Sequence, residues 1–452
     1  MGGRRPAKLA GRGGSIGKTV PMPQSLAPPP QTVGRRRVVA PSVERVKAEL
    51  RFDVTARAGL GSAAIDFCGG ATDGYPALDL RQPVERLRLD GKDLRPEDFA
   101  PVDLGGGEGA EMRVLDVEIE AGARHHLEVG YRLETPACTG AEPIGWLSDG
   151  LRFDFWMSDL QPGRYLEMWV PAPLIHDRFA LCLDVRIEGT DRSHTLIANT
   201  GGVDAEAGGR AWSLVYPAHF TALSPMLVLA PTDTIEIRRS AVAFSGRNRS
   251  LGVVTARHTD TDADLGSCEA DIRSWLTYLG TRFEPWVHGD TFWAVVWGPG
   301  RGMEYDGATT ASVGALEHEV FHSWFGRGVK PARASDGWID EAYTTWSTAS
   351  RRSELPRFAS TELGLDEPPV ELYPSHPWSR RTPVESYTEG ARLFAGLAHR
   401  LGGPDRLRAA MADWYRANAG GLVTTDGLAA HLKTWSSIDI SPWWARYVHG
   451  RG

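Results

Sequence analysis

The run His318-Glu319-Val320-Phe321-His322, followed after eighteen intervening residues by Glu341, restricts this chain more than any other feature. Two imidazoles four residues apart reach one point only if the backbone between them is helical, because residues four apart share a helix face. Glu319 then flanks that point. A catalytic zinc site takes three protein ligands and keeps a fourth position open, so a third ligand must return from elsewhere. Glu341, within Trp338-Ile339-Asp340-Glu341-Ala342, supplies it if the segment folds as helix, loop and second helix. The spacing predicts one Zn2+ ion held by His318, His322 and Glu341, with Glu319 as a base beside it. A metzincin would carry glycine and histidine where this chain has Phe325 and Gly328, which excludes that class.

The 452-residue chain is too long for one ordinary core. Its net charge of −7 leaves no positive excess to neutralise phosphates, so nucleic acid is not an expected partner. No apolar run approaches the roughly eighteen residues of a membrane span, and none is expected. Arg4-Arg5 is not followed by an apolar stretch of the kind an export signal needs, so the expected location is cytoplasmic. Cys68, Cys138, Cys182 and Cys268 are far apart with no C-x-x-C spacing and read as free thiols.

Along the chain, residues 1–45 read as a disordered basic arm, with eight basic residues, no acidic one and six prolines before residue 41. From Val46 strict apolar alternation begins and recurs around Leu127 and Phe179, which predicts an antiparallel, β-rich N-terminal domain over 46–245. Leu265, Cys268, Ile272, Leu276 and Leu279 then follow a helical period, and Thr291–Trp297 reads as a buried strand. It leads into Arg301–Gly307, read as a glycine-flanked loop carrying Glu304. Helical periodicity returns near Tyr387 and continues in three further segments to the end. The fold class expected is α+β and multidomain.

Four segments, in order, resemble the zinc aminopeptidases of the aminopeptidase N family. His318 to Gly326 is similar to that family's H-E-x-x-H-x-W-F-G, and Trp338 to Ala342 to its W-L-N-E-G. Gly302-Met303-Glu304-Tyr305 resembles its G-x-M-E-N loop, and Tyr387-Thr388-Glu389-Gly390-Ala391 its Y-x-K-G-A. Val329-Lys330-Pro331 resembles the related glycyl aminopeptidase family. The resemblance implies a thermolysin-like catalytic domain over 246–452, with a helical lobe from about 385. It implies peptide substrates with a free N-terminus, a substrate amine held by Glu304, Gly302 and Met303 lining the same pocket through backbone contacts, and an oxyanion donor in Tyr387. Thr348 stands where the family has an acidic residue two turns beyond the third ligand. A non-peptide zinc hydrolase and a catalytically inactive scaffold of the same fold are the alternatives.

Overall fold

The computed structural model describes residues 26–136, 142–200, 202–205, 208–243, 250–352, 367–436 and 438–452. In the first half the apolar alternation becomes an eight-stranded sheet, in which Ser42–Asp53 pairs antiparallel with Ala58–Cys68 and parallel with Ala180–Glu188. Val46, Ala48, Leu50 and Phe52 are buried on one face while Lys47 and Arg51 stay exposed, as a period of two requires. Smaller sheets of five and four strands complete this half.

Residues 1–25 of the expected arm lie outside the described residues, but the rest of it is structured. Gln31–Val33 pairs with Arg36–Val39, and Val38 pairs in turn with Tyr75. Val38 and Val39 are buried, and the Trp378 indole donates to the Pro29 carbonyl at 3.1 Å. The arm's composition averages two unlike pieces. Two valines and paired backbone groups are enough to bring its second piece into a sheet.

The second half is built on a five-stranded sheet ordered Ile235–Ala243, Ser250–His258, Thr291–Trp297, Ala308–Ser312, Gly302–Tyr305. Its first strand lies before residue 246, where the catalytic part was expected to begin, yet it pairs along its whole length with Ser250–His258. Both faces of the sheet are covered. Val295, Met303, Tyr305 and Ala308 join the core of the β-rich half, while Phe292, Ala294 and Val296 join a second core formed with the helices. That is why Thr291–Trp297 reads as a continuous apolar run rather than an alternating one.

Seven helices occur among the described residues: α1 (Leu265–Gly280), α2 (Leu316–Phe321), α3 (Trp338–Arg351), α4 (Glu389–Arg400), α5 (Pro404–Asn418), α6 (Thr425–Ser436) and α7 (Ser441–Tyr447). Asp264 caps α1 by accepting from the Gly266 amide at 2.9 Å. Leu276, Val320, Trp338, Phe394 and Leu428, each from a different helix, are fully buried in the second core. Each such side chain contributes roughly 1.5–3 kcal/mol relative to exposure. No described helix is long and apolar enough to cross a membrane. Cys68, Cys182 and Cys268 are free thiols, and Cys138 lies outside the described residues.

Candidate active site

Only Leu316–Phe321 of the motif is α-helix proper, but His322 follows it as the C-cap in helical conformation (φ −59°, ψ −17°). His318 and His322 therefore stay on one face, with their Nε2 atoms 2.9 Å apart. A loop returns the chain through α3, whose first turn carries Glu341. Its Oε2 lies 3.1 Å from His318 Nε2 and 3.4 Å from His322 Nε2. His322 Nδ1 donates to the Phe325 carbonyl at 2.9 Å, which leaves the Nε2 lone pair facing the other two donors. One ligand atom from each residue lies within 4.8 Å of the others. Two imidazoles and a carboxylate converging on one point are the donor set of a catalytic zinc ion, and the residues fit it.

Burial raises the carboxyl of Glu319 well above its ordinary range, and Glu304 nearby adds to the effect. Burial has the opposite tendency from that observed at Glu341, where His322 and His318 prevail and hold the carboxyl well below its ordinary range. Glu319 lies against the backbone of Gly302: a Cβ there would come within 2.4 Å of Glu319 Oε1. That approach requires glycine.

The segment read as a loop, Gly302–Tyr305, is instead the edge strand of its sheet. It forms a hairpin with Ala308–Ser312 around the two-residue turn Asp306-Gly307, a strong turn signal in its own right. Alternation then sends Met303 and Tyr305 into the core and leaves Glu304 on the side of α2. Glu304 is buried, and the fully buried Arg327 lies 2.9 Å from its Oε1 and 3.4 Å from Asp159 Oδ1. Asp159 is raised to about 7 by burial and by Glu304.

Tyr387, just before α4, is half-buried. Its ring stacks on the His318 imidazole with centroids 5.8 Å apart, and Glu341 lies among the acids around its hydroxyl. Burial and Glu341 raise the phenol. His322, Glu319, Glu341 and Glu304 are all buried, so the site meets solvent on the side of His318 and Tyr387.

No protein-family model matches the chain, and no curated protein sequence matches it. Solved structures do. An M1 zinc metallopeptidase mutant from Deinococcus radiodurans, bound to a Tyr-Ser-Ala substrate, superposes with a TM-score of 0.64 at 17% identity, over 92% of this chain and 95% of that one. The unmutated enzyme gives 0.63 at 16%, over 91% and 94%. Aminopeptidase A from Legionella pneumophila, in complex with aspartic acid, gives 0.66 at 12%, over 90% of this chain and 49% of that one. The fold is that of the M1 zinc metallopeptidases.

Within this M1 fold, His318, Glu319, His322, Glu341, Glu304, Gly302 and Tyr387 come together in one place. Met303 turns its side chain into the core of the β-rich half, where it is 2% exposed, which leaves its backbone for the pocket; its carbonyl accepts from the Thr309 hydroxyl at 2.9 Å. Thr348 turns back on its own helix, donating to the Thr344 carbonyl at 2.9 Å. Two site residues are absent from the sequence reading. Asp159 sits in the other half of the chain, where nothing in its surroundings points to a residue far along the sequence. Arg327 had a visible signal, a lone charge in the run Ser323–Val329, which is buried throughout.

Proposed function

We propose that this chain is a zinc-dependent aminopeptidase that hydrolyses the first peptide bond of peptides with a free N-terminus. The observation that carries this reading is the convergence of His318, His322 and Glu341 with Glu319 and Glu304 beside them, Asp159 clustering with Glu304 and Glu341. The tripeptide ligand of the Deinococcus enzyme supports peptides as the substrate class.

A zinc ion held by His318, His322 and Glu341 would supply Lewis acidity, polarising the scissile carbonyl and lowering the pKa of water to about 7. Glu319 takes the proton of the attacking water and passes it to the leaving amine. Tyr387 donates a hydrogen bond from its hydroxyl to the developing oxyanion. Such a donor is typically worth about 3 to 4 kcal/mol of barrier. Glu304 and Asp159 receive the substrate's α-ammonium, so the bond cut is the first one. Gly302 leaves room for the peptide beside Glu319, and the outer edge of Gly302–Tyr305 offers its backbone to the substrate strand.

Purified protein assayed for zinc and against paired aminoacyl and N-acylated fluorogenic substrates tests this reading. One zinc per chain and turnover of the free-amine member are expected, and Glu304→Ala should lower its kcat/KM by about tenfold or more. Equal loss on both members of a pair would remove the amine-anchor role. Stoichiometric zinc with no turnover of either would favour a non-catalytic scaffold.

A further inference from the structure

Arg327 lies five residues beyond His322, and its side chain is 0% exposed. Every nitrogen of the guanidinium is engaged. Nε donates to the Glu304 carbonyl at 3.3 Å and Nη1 to the Gly326 carbonyl at 2.9 Å. Nη2 faces Glu304 Oε1 at 2.9 Å and both oxygens of Asp159 at 3.4 Å. Fully buried, it has no surface through which to meet a substrate carboxylate.

What it does have is a position between two acids of different origin. Glu304 comes from the edge strand of the catalytic sheet, and Asp159 from a loop of the β-rich half. One oxygen of each, with one of Glu341, falls within a 4.8 Å cluster. Like charges at that distance repel, and two chain segments with no other bond between these side chains would relax apart. One nitrogen, Nη2, meets both carboxylates, while Nε and Nη1 are fixed by the Glu304 and Gly326 carbonyls, so the planar guanidinium is held in one orientation, as a point charge on a flexible stem would not be.

We propose that Arg327 is a specificity-determining positioning residue, whose guanidinium holds Glu304 and Asp159 together as a paired receptor for the substrate's α-ammonium. This rests on the aminopeptidase reading above. An ammonium has three donors, and two converging carboxylates satisfy it better than one. Arg327 acts through those two side chains and does not itself touch substrate. Removing it separates the acids, and the free amine then contributes less to binding.

The test compares inhibition of the zinc-loaded enzyme by leucine hydroxamate and by the hydroxamate of isocaproic acid, its des-amino analogue. Both bind the metal, and the ratio of their inhibition constants reads the amine subsite alone. In Arg327→Gln the preference for the amino compound should fall about tenfold or more, with affinity for the des-amino compound unchanged. A purely structural role would lower the melting temperature and leave the ratio alone, which would overturn the proposal. A rise in the ratio would do so too, because it would mean the guanidinium competes with the ammonium. Should Arg327→Gln fail to fold, Arg327→Lys keeps a buried cation without the fork, and an intermediate ratio is expected; a wild-type ratio overturns the proposal. If the wild-type enzyme itself shows no preference for the amino compound, the aminopeptidase reading falls rather than the role of Arg327.

Discussion

At the residue scale the site depends on contacts so close that single atoms decide them. Gly302 is the sharpest case. An added Cβ would fall 2.4 Å from Glu319 Oε1, but that oxygen is the far end of a side chain that can turn aside. Gly302→Ala should therefore cost little stability. It should still lower kcat by about a hundredfold, because displacing a catalytic group by about 1 Å has that effect. Zinc content and melting temperature near wild type, with kcat down, is the expected pattern. Unchanged kcat would mean that Glu319 works from another position. The residues legible in the sequence were those whose roles fix a spacing: two histidines a helical turn apart, the acid beside the first, and a returning Glu341. Arg327 and Asp159 were not, since their meaning depends on which side chains the fold sets opposite them.

At the element scale, close approach between helices does similar work. A Cβ on Gly390, in the first turn of α4, would lie 2.5 Å from the Cβ of Ala342 and 3.5 Å from its Cα. Both partners are tied to backbone, so α4 and α3 would have to separate. Gly390→Ala would gain about 1 kcal/mol of helix propensity on an isolated helix. Overpacking typically costs about 1–3 kcal/mol and should outweigh the gain. Because Ala342 follows Glu341 and Gly390 lies three residues past Tyr387, kcat should fall together with the melting temperature. A variant more stable than wild type would show that the helices adjust freely. The periodicity of α1 and of α4 to α7 was readable because each has one apolar face. The strand Gly302–Tyr305 was not, because four residues between glycines are too few to show a period, and only the Asp306-Gly307 turn marked the hairpin. The pairing of Ile235–Ala243 with the catalytic sheet was hidden for another reason: alternation reveals that a strand exists, not which sheet receives it.

At the scale of the whole molecule, the two halves are joined by buried charge. Arg380, from the C-terminal half, bonds Asp79 and Glu167 in the β-rich half, the latter at 2.8 Å. Beside the active site, Lys330 lies 2.7 Å from Asp306, with His219 and His288 each about one further contact away at 3.9 and 4.0 Å from the same carboxylate. His288 is buried, and its Nε2 donates to the Ser323 carbonyl at 2.7 Å. Burial lowers it from 6.5 to about 4; Asp306 opposes the shift, while Lys330 and His219 add to it. The folded protein thus keeps this imidazole neutral where the unfolded chain protonates it. Its contribution to stability is complete above pH 6.5 and is lost as pH falls from there towards 4. At about pH 5 the loss from this one group is about 2 kcal/mol. His288→Gln retains a donor for Ser323 but cannot titrate. Urea unfolding of both proteins at about pH 7.5 and pH 5 isolates the effect, since every other titrating group is common to them. The stability of wild type relative to the variant should shrink by about 2 kcal/mol on acidification. A pH-independent difference would place the acid sensitivity of this junction in His219 or Asp306 instead.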